Sequence, residues 1–256
     1  GGEVALAAGN PAYAAIHFAR AARLRAGSAD KADVIDAASQ ALTLARQSGA
    51  PLTANFALGA MANAVAVVDP ERARTLLAEA IEAMERLGYQ DAIELTQLAT
   101  VAARLDDWRL TLQLARRAMP RLHWQGDLPN LLLVFNVSAL ALAQPRPHTA
   151  ARLQGAAQRV ARILTGTARP PSDAPAAAGD GSTRGWRLEA TRRLAATLTK
   201  DQLTQRRREG EAMDLDDAIA YALAETDETL TDPTSPSTAS AGLPACGLEP
   251  PASGDP

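Results

Sequence analysis

The chain of 256 residues is poor in the side chains on which most enzymes and disulfide-stapled proteins depend. It has one cysteine, Cys246, so no intramolecular disulfide can form. Its three histidines, His17, His123 and His148, are far apart in sequence and lack metal-ligand spacing. Aromatic residues make up only 4% of the chain. No Ser/His/Asp or Cys/His constellation can be assembled, so we expect no catalytic site, no metal and no other cofactor.

Charge of one sign and long apolar runs are also scarce. The formal net charge is −3, which gives no support for a basic nucleic-acid surface. The longest apolar run, within 131–143, contains Asn136 and Ser138 and is too short to span a bilayer. No signal-peptide pattern opens the chain. We therefore expect a cytoplasmic protein with neither nucleic acid nor membrane as a partner. Because it begins Gly1-Gly2 rather than Met, we also expect a piece of a longer protein.

What the chain has in abundance is alanine, leucine, arginine and glutamate, which all favour helix. A helix, a tight turn and a second helix recur, with the clearest turn at 69–73, an echo at 106–110 that comes 37 residues later, and a looser copy at 144–148. A period in the high thirties with two helices per unit is typical of an α-solenoid. The pattern predicts an all-α, tetratricopeptide-like array of antiparallel helix pairs.

The same reading divides the chain into four parts. Helical repeats occupy 1–165, and a flexible loop rich in proline, alanine and glycine follows at 166–184. Three further helices at 185–225 are predicted to cap the last repeat, because an end repeat otherwise exposes an apolar face. From 226 to 256 proline, serine and threonine dominate, and we expect disorder.

Several local signals predict where helices begin and end. Asp69 and Asp127 are expected to cap helices, and Pro70 suits a first helical position. The spacing of Thr199 and Gln202 fits a capping box. Gly49 lies where a left-handed residue would end a helix. Pro120 is expected to bend or end the helix over 107–122.

Three small polar residues occupy one position of the aligned repeats. Asn63, Thr100 and Ser138 each fall six residues before a turn. First helices of solenoid repeats usually line the concave side, so these side chains are candidates for binding a protein or peptide partner. The alternative is that small residues are needed there for close helix packing.

Three other motifs have structural alternatives that we favour over their functional readings. Gly179 to Thr183 faintly resembles a phosphate loop but has no lysine and no preceding strand. Asp214, Asp216 and Asp217, with Asp106-Asp107, could hold Mg²⁺, but helix capping explains both groups. Arg206-Arg207-Arg208 with Arg192-Arg193 could bind nucleic acid, but acids follow closely and no aromatic is interleaved, which favours a solvated face or salt bridges between neighbouring helices.

Four segments carry a likeness to a known family: DPERARTLLAEAIEAMERLG (69–88), LPNLLLVFNVSALALA (128–143), AARLQGAAQRV (150–160) and REGEAMDLDDAIAYALAE (208–225). They resemble the tetratricopeptide-like C-terminal region of large actinobacterial STAND-type ATPases, in which the ATPase is joined to an adenylate/guanylate cyclase or a LuxR-type helix-turn-helix domain. The chain departs from such whole proteins, because it has no Walker motif and no helix-turn-helix after the last helix.

The resemblance implies a non-enzymatic sensing or interaction module that controls an attached ATPase or output domain. Its partners would be a protein or peptide, the upstream ATPase domain of its own chain, or a small effector, and it could form a homo-oligomer. One alternative is a structural scaffold or dimerisation arm without a small ligand. A second is an all-helical enzyme, which would need a closed, carboxylate-lined cavity.

Overall fold

The computed structural model describes residues 1–26, 30–166 and 183–232. Within these ranges every regular element is an α-helix, and the all-α prediction is confirmed. The helices are α1 (Gly2–Ala7), α2 (Pro11–Arg25), α3 (Lys31–Ser48), α4 (Pro51–Val65), α5 (Pro70–Arg86), α6 (Ala92–Arg104), α7 (Trp108–Gln125), α8 (Leu128–Leu142), α9 (Pro147–Thr165), α10 (Thr183–Ala195), α11 (Lys200–Ala212) and α12 (Leu215–Thr231).

Most helix starts are fixed by a side chain that accepts a hydrogen bond from the backbone three residues later. Asp69 accepts from the Arg72 N–H at 3.1 Å, and Asp127 accepts from the Asn130 N–H at 3.2 Å. Thr199 and Gln202 form a complete capping box at the start of α11. These bonds satisfy donors that the first turn of a helix leaves free. The caps predicted from sequence are confirmed.

Helix ends follow the predicted pattern with one exception. Gly49 ends α3 with φ 63° and Gly126 ends α7 with φ 66°, a left-handed conformation that glycine adopts without steric penalty. The exception concerns Pro120: of the two expected outcomes, a bend or an end, the end does not occur, because Pro120 lies inside α7. Buried residues on both sides of Pro120, Met119 and Leu122, hold this helix against its neighbours.

Helices α4, α6 and α8 form the interior of the molecule. Contacts run in series from α2 to α4, α6, α8 and α10, while α3, α5, α7 and α9 each pack against the even-numbered helix before them. Most residues of α4 and α6 and all residues in the second half of α8 are buried. Alanine and glycine at many of these positions let the helix axes approach closely. A few large side chains, such as Met61, Leu98 and Phe135, fill the space between layers.

The last three helices all pack around α9. Helix α10 contacts α8 and α9, α11 lies along α9, and α12 lies against α7 and α9. Gly155 of α9 and Gly210 of α11 meet at the α9–α11 crossing. A Cβ on Gly155 would collide with the Arg207 carbonyl, and a Cβ on Gly210 would collide with the Arg152 carbonyl. The two backbones are therefore in direct contact at this point.

Two predicted boundaries differ from the structure, and a third is one that the sequence leaves open. For the N-terminal segment the sequence allows one helix or two, and the structure has two, with Asn10 capping the second. Helix α10 begins at Thr183, inside the predicted loop, and the rest of that loop beyond Gly166 is outside the described residues. Helix α12 continues to Thr231, so the prediction of disorder from 226 is wrong for its first six residues. The reason is burial, since Thr226 and Thr229 are fully buried against the neighbouring helices.

In the ranges that the structure describes, no helix combines the length and the apolar content needed to cross a bilayer.

Candidate functional site

The three aligned polar residues fall on the interior helices, as their spacing predicts. Asn63 is in α4, Thr100 in α6 and Ser138 in α8. Ser138 has no exposed surface, Thr100 is buried and its hydroxyl donates to the Gln97 carbonyl at 2.7 Å, and Asn63 is half-buried. A docking partner could not contact Ser138 unless the helices moved apart. The burial of Thr100 and Ser138 therefore favours the second hypothesis, that small residues are needed here for close helix packing. Asn63 is the one of the three with surface to offer.

Within the described ranges, several buried side-chain oxygens of α4 and α8 have no hydrogen-bond partner. They include the amide oxygens of Asn55, Asn63 and Asn136 and the hydroxyl of Ser138. Asn136 uses its NH₂ group to donate to the Leu132 carbonyl at 2.8 Å, which leaves the oxygen free. Buried polar atoms usually have a hydrogen-bond partner. These four oxygens are therefore unusual in an interior that is otherwise rich in alanine.

A buried ion pair joins three helices near the N-terminal end. Both terminal nitrogens of Arg23 in α2 donate to the Glu94 carboxylate in α6 at 2.8 Å, and Nη2 also donates to the Phe56 carbonyl in α4. The two side chains are only 8% and 4% exposed. The guanidinium also stacks 3.8 Å above the Phe56 ring. Gly59 provides the space, because a Cβ there would lie 2.6 Å from Glu94 Oε1.

Sequence reasoning missed this ion pair, although it left two signals. Glu94 is a lone acid in the apolar segment 92–103, and Gly59 is a glycine in the middle of a helix that otherwise favours alanine. Neither signal names its partner, since Arg23 and Glu94 are 71 residues apart. Because the pair is buried and connects α2, α4 and α6, it stabilises the packing of these helices and is not accessible to a ligand.

A cleft of about 440 Å³ opens between the start of α9, α11 and α12. Its lining includes Arg146, Arg152, Arg206, Tyr221 and Glu225. This volume is within the range of small-molecule sites. The side chains present both signs of charge, so the cleft suits a polar or charged ligand.

Ion pairs order the walls of this cleft. Arg152 Nε donates to Glu209 Oε2 at 2.7 Å, and Arg206 Nη1 donates to the same oxygen at 2.9 Å. These hydrogen bonds, first that from Arg206 and then that from Arg152, lower the pKa of the Glu209 carboxyl. On the opposite wall the Thr149 hydroxyl donates to Glu225 at 2.7 Å. Two arginines thus share one carboxylate, which leaves that wall positive.

The acidic clusters are structural in the described residues. Asp107 caps α7 and Asp214 caps α12. Asp106 has a left-handed φ of 59° and pairs with Arg193 at 2.8 Å, and Asp216 pairs with His123 at 2.7 Å. No three metal-ligating side chains come together in the described part of the chain. The capping interpretation is confirmed for Asp107 and Asp214, and the His123 pairing is one that sequence reasoning missed.

The arginine clusters are distributed among several contacts. Arg206 pairs with Glu209, and Arg192 and Arg193 both pair with Glu189 on their own helix. Arg208 is exposed. The exposure of Arg208 agrees with the expected solvated face. In the described residues the ion pairs of Arg206 and Arg192 lie within their own helices, and of these three arginines only Arg193 also reaches another element, through Asp106. Arg207 is the exception, because its side chain turns inward between α9, α10 and α11. The segment from Gly179 to Ser182 and Cys246 lie outside the described residues.

No family model, no curated protein and no solved structure matched the chain in comparisons with known proteins.

Proposed function

We propose that the chain is a tetratricopeptide-like α-solenoid with a three-helix C-terminal cap, and that it serves as a sensing or interaction module of a bacterial ATP-dependent regulator. The observation that carries the proposal is the serial contact of α2, α4, α6, α8 and α10, with an odd-numbered helix paired to each of the first four. Stacked helix pairs of this kind form extended binding surfaces. The resemblance of segments 69–88, 128–143, 150–160 and 208–225 to STAND-type regulators supplies the biological setting.

The mechanism that we propose is control of an attached ATPase by binding. The array would hold the ATPase region in a closed state or in an assembled state, and a protein partner or small effector that prefers one state would shift the balance. The cleft between α9, α11 and α12 is the candidate effector site, since it has suitable volume and charged walls. A cytoplasmic location fits such a role.

The first test is to read the coding sequence upstream of Gly1. A GxxxxGK[ST] motif that follows a predicted strand would support the proposal, and an upstream region without any nucleotide-binding motif would count against it. If the motif is present, the longer protein should be produced with and without residues 1–232. We expect removal to change basal ATP hydrolysis or the assembly state. Equal hydrolysis and equal sedimentation of the two proteins would contradict the proposed control.

A structural scaffold or dimerisation arm is the second candidate. It rests on exposed apolar side chains at the N-terminal end, with Val4 73% and Leu24 81% exposed. Single exposed apolar side chains are common on monomers, and only a contiguous apolar patch marks a site that another protein covers, so self-association has to be measured. Sedimentation at several protein concentrations distinguishes the two candidates, because a monomer at all concentrations excludes dimerisation by this chain alone.

A further inference from the structure

Arg207 is half-buried and belongs to a polar network between three helices, with the fully buried Gln154 as its partner. Its Nε and Nη2 donate to the Gln154 amide oxygen of α9 at 2.9 and 2.5 Å, and Nη2 also donates to the Thr191 hydroxyl of α10 at 2.6 Å. The NH₂ group of Gln154 donates in turn to the Arg187 carbonyl at 3.1 Å. Two side chains therefore fix the orientation of this guanidinium before any ligand binds.

All the hydrogen-bond partners of Arg207 are neutral. In the described part of the chain neither Arg207 nor Arg187 forms an ion pair, whereas Arg206, Arg192 and Arg193 on the same two helices all do. Burial lowers the pKa of the Arg207 guanidinium, and the nearby positive charge of Arg187 lowers it further. Arginine nevertheless stays protonated in proteins, and the Arg187 carbonyl belongs to the same network, since it accepts from both Gln154 and Thr191.

A partly buried charge without a counter-charge is unfavourable. The Arg207 charge is stabilised only by neutral groups, which accept hydrogen bonds from Nε and Nη2. Nη1 of Arg207 forms no hydrogen bond among the described residues. A ligand that carries negative charge would supply what the network lacks.

We propose that the junction of α9, α10 and α11 is an anion-binding site, in which Arg187 and the Nη1 group of Arg207 hold a phosphate or carboxylate group of a small ligand. Guanidinium groups match the geometry of both anions, and hydrogen bonds between charged groups are the strong ones. The ordered Gln154 and Thr191 contacts reduce the entropy lost on binding. The site is separate from the cleft lined by Arg146 and Tyr221, and it does not depend on the proposed regulatory role.

The test is a titration of the whole chain with inorganic phosphate and, separately, with succinate, each against chloride at constant ionic strength. The unfolding temperature and the NMR signal of the Arg207 Nε–Hε group report binding. We expect at least one of the two anions to raise the unfolding temperature and to move that signal. A response to phosphate alone identifies a phosphoryl ligand, a response to succinate alone identifies a carboxylate ligand, and a response to both identifies a general anion site.

Arg187→Ala is the informative variant and Arg208→Ala its matched control. Both remove one positive charge, but Arg208 is exposed on α11 and has no ion pair in the described part of the chain. Loss of one charged hydrogen-bond partner should weaken binding in R187A roughly tenfold, whereas R208A should bind as the wild type does. Equal responses of R187A and wild type would overturn the proposal.

A wild-type protein that responds to neither anion would overturn it as well. If R187A does not fold, the wild-type Arg207 signal decides alone. Movement of that signal with phosphate or succinate, relative to the chloride sample, supports the site, and a signal that stays in place rejects it.

Discussion

At the scale of single residues, Glu94 makes the sharpest prediction about stability. Replacing it with Gln leaves the Arg23 guanidinium buried without its counter-charge, although the shape of the site is kept. Removing one partner of a buried ion pair destabilises a protein by about 3–5 kcal/mol. We expect Glu94→Gln to lower the free energy of unfolding by an amount in this range. Urea unfolding followed by circular dichroism measures it.

Two further variants show whether the buried charge is the cause. Glu71 pairs with Arg74 on the surface of α5, and its side chain is 87% exposed, so Glu71→Gln should cost at most about 1 kcal/mol. The double variant Arg23→Met with Glu94→Leu removes both charges and should recover much of the stability lost in E94Q. A double variant that is less stable than E94Q would show that the hydrogen bonds and packing of the pair stabilise the fold more than an unpaired buried charge destabilises it.

Gly59 makes a related prediction, because its missing side chain leaves room for the ion pair. A Cβ at this position would lie 2.6 Å from Glu94 Oε1 and 2.8 Å from Arg23 Nη2. In an unobstructed helix, Gly→Ala stabilises by roughly 1 kcal/mol. Gly59→Ala should instead destabilise the protein, as a lower thermal midpoint would show. Its penalty should be smaller in a Glu94→Ala background, where one of the colliding atoms is gone. A stabilised G59A would mean that the pair moves aside without loss.

The residues that sequence reasoning placed correctly act locally. Asp69, Asp127 and Thr199 cap helices through bonds that span three residues, and such bonds leave a signature in the sequence itself. The Arg23–Glu94 pair and the Arg207 network depend on which helices are neighbours. Their partners therefore become evident only when the packing is known.

At the scale of helices, the crossing of α9 and α11 predicts a strong effect of very small changes. The Arg152 and Arg207 carbonyls occupy the space that a side chain on Gly210 or Gly155 would need. Backbone can give way only if the helices move apart. We expect Gly155→Ala and Gly210→Ala each to destabilise by more than the roughly 1 kcal/mol that alanine adds to helix propensity. Faster hydrogen exchange of α11 amides would locate the damage.

An exposed position on the same helix supplies the control for this crossing. Gln205 lies on α11 away from the crossing, so Gln205→Ala should leave both stability and hydrogen exchange nearly unchanged. If G155A and G210A had the same stability and hydrogen exchange as Q205A, the close contact of the two backbones would not be what holds α11 against α9.

The end of α12 gives a second prediction at this scale. Beyond residue 225 the helix buries Thr226 and Thr229, and the Leu230 carbonyl accepts a hydrogen bond from Arg109 at 3.0 Å. Glu228 also pairs with Arg146 at 2.8 Å. A chain of residues 1–225 should unfold at a lower temperature than one of residues 1–232. The lost apolar burial alone should lower its free energy of unfolding by an amount on the order of 1–3 kcal/mol. Equal midpoints would mean that the last turns of α12 contribute nothing to the fold.

Sequence reasoning missed these turns because their composition is that of a tail. Residues 226–232 contain three threonines and three acids, which favour helix only weakly. Tertiary contacts decide the outcome, through burial of the threonines and through Arg109, Arg116 and Arg146 on neighbouring elements. Pro120 does not end its helix for a similar reason, since buried residues on both sides of it pack α7 against its neighbours.

At the scale of the whole molecule, composition was enough to predict the class of fold but not its internal differences. Alanine-rich periodic segments predicted helices that pack closely, and repeated turns predicted their pairing. The sequence could not show how completely α6 and α8 would be enclosed. That enclosure explains why Thr100 and Ser138 are buried, whereas Asn63 at the same aligned position of α4 is only half-buried.

The last three helices and the helices before α9 are held in the fold by different kinds of contact. In the described residues, most ion pairs between helices attach α10, α11 or α12 to the rest, as in Arg146–Glu228, Arg152–Glu209 and Arg193–Asp106. The helices before α9 are joined mainly by buried apolar side chains. Partly exposed ion pairs are screened by salt and lost with acid, whereas apolar contacts are much less affected.

Acid should therefore loosen the last three helices first. The pKa of Glu209 is lowered in the folded state, so its contribution is fully present above the ordinary value of 4.5 and is lost as pH falls through the lowered folded value. We expect amide NMR signals of α11 and α12 to lose dispersion at a higher pH than those of α4 and α6 during titration from pH 7 downward. In Glu209→Gln the carboxylate that titrates is absent, so α11 should be looser at pH 7 and should change less with acid. Simultaneous loss of all helices at one pH, in both proteins, would show that the ion pairs do not determine the order of unfolding.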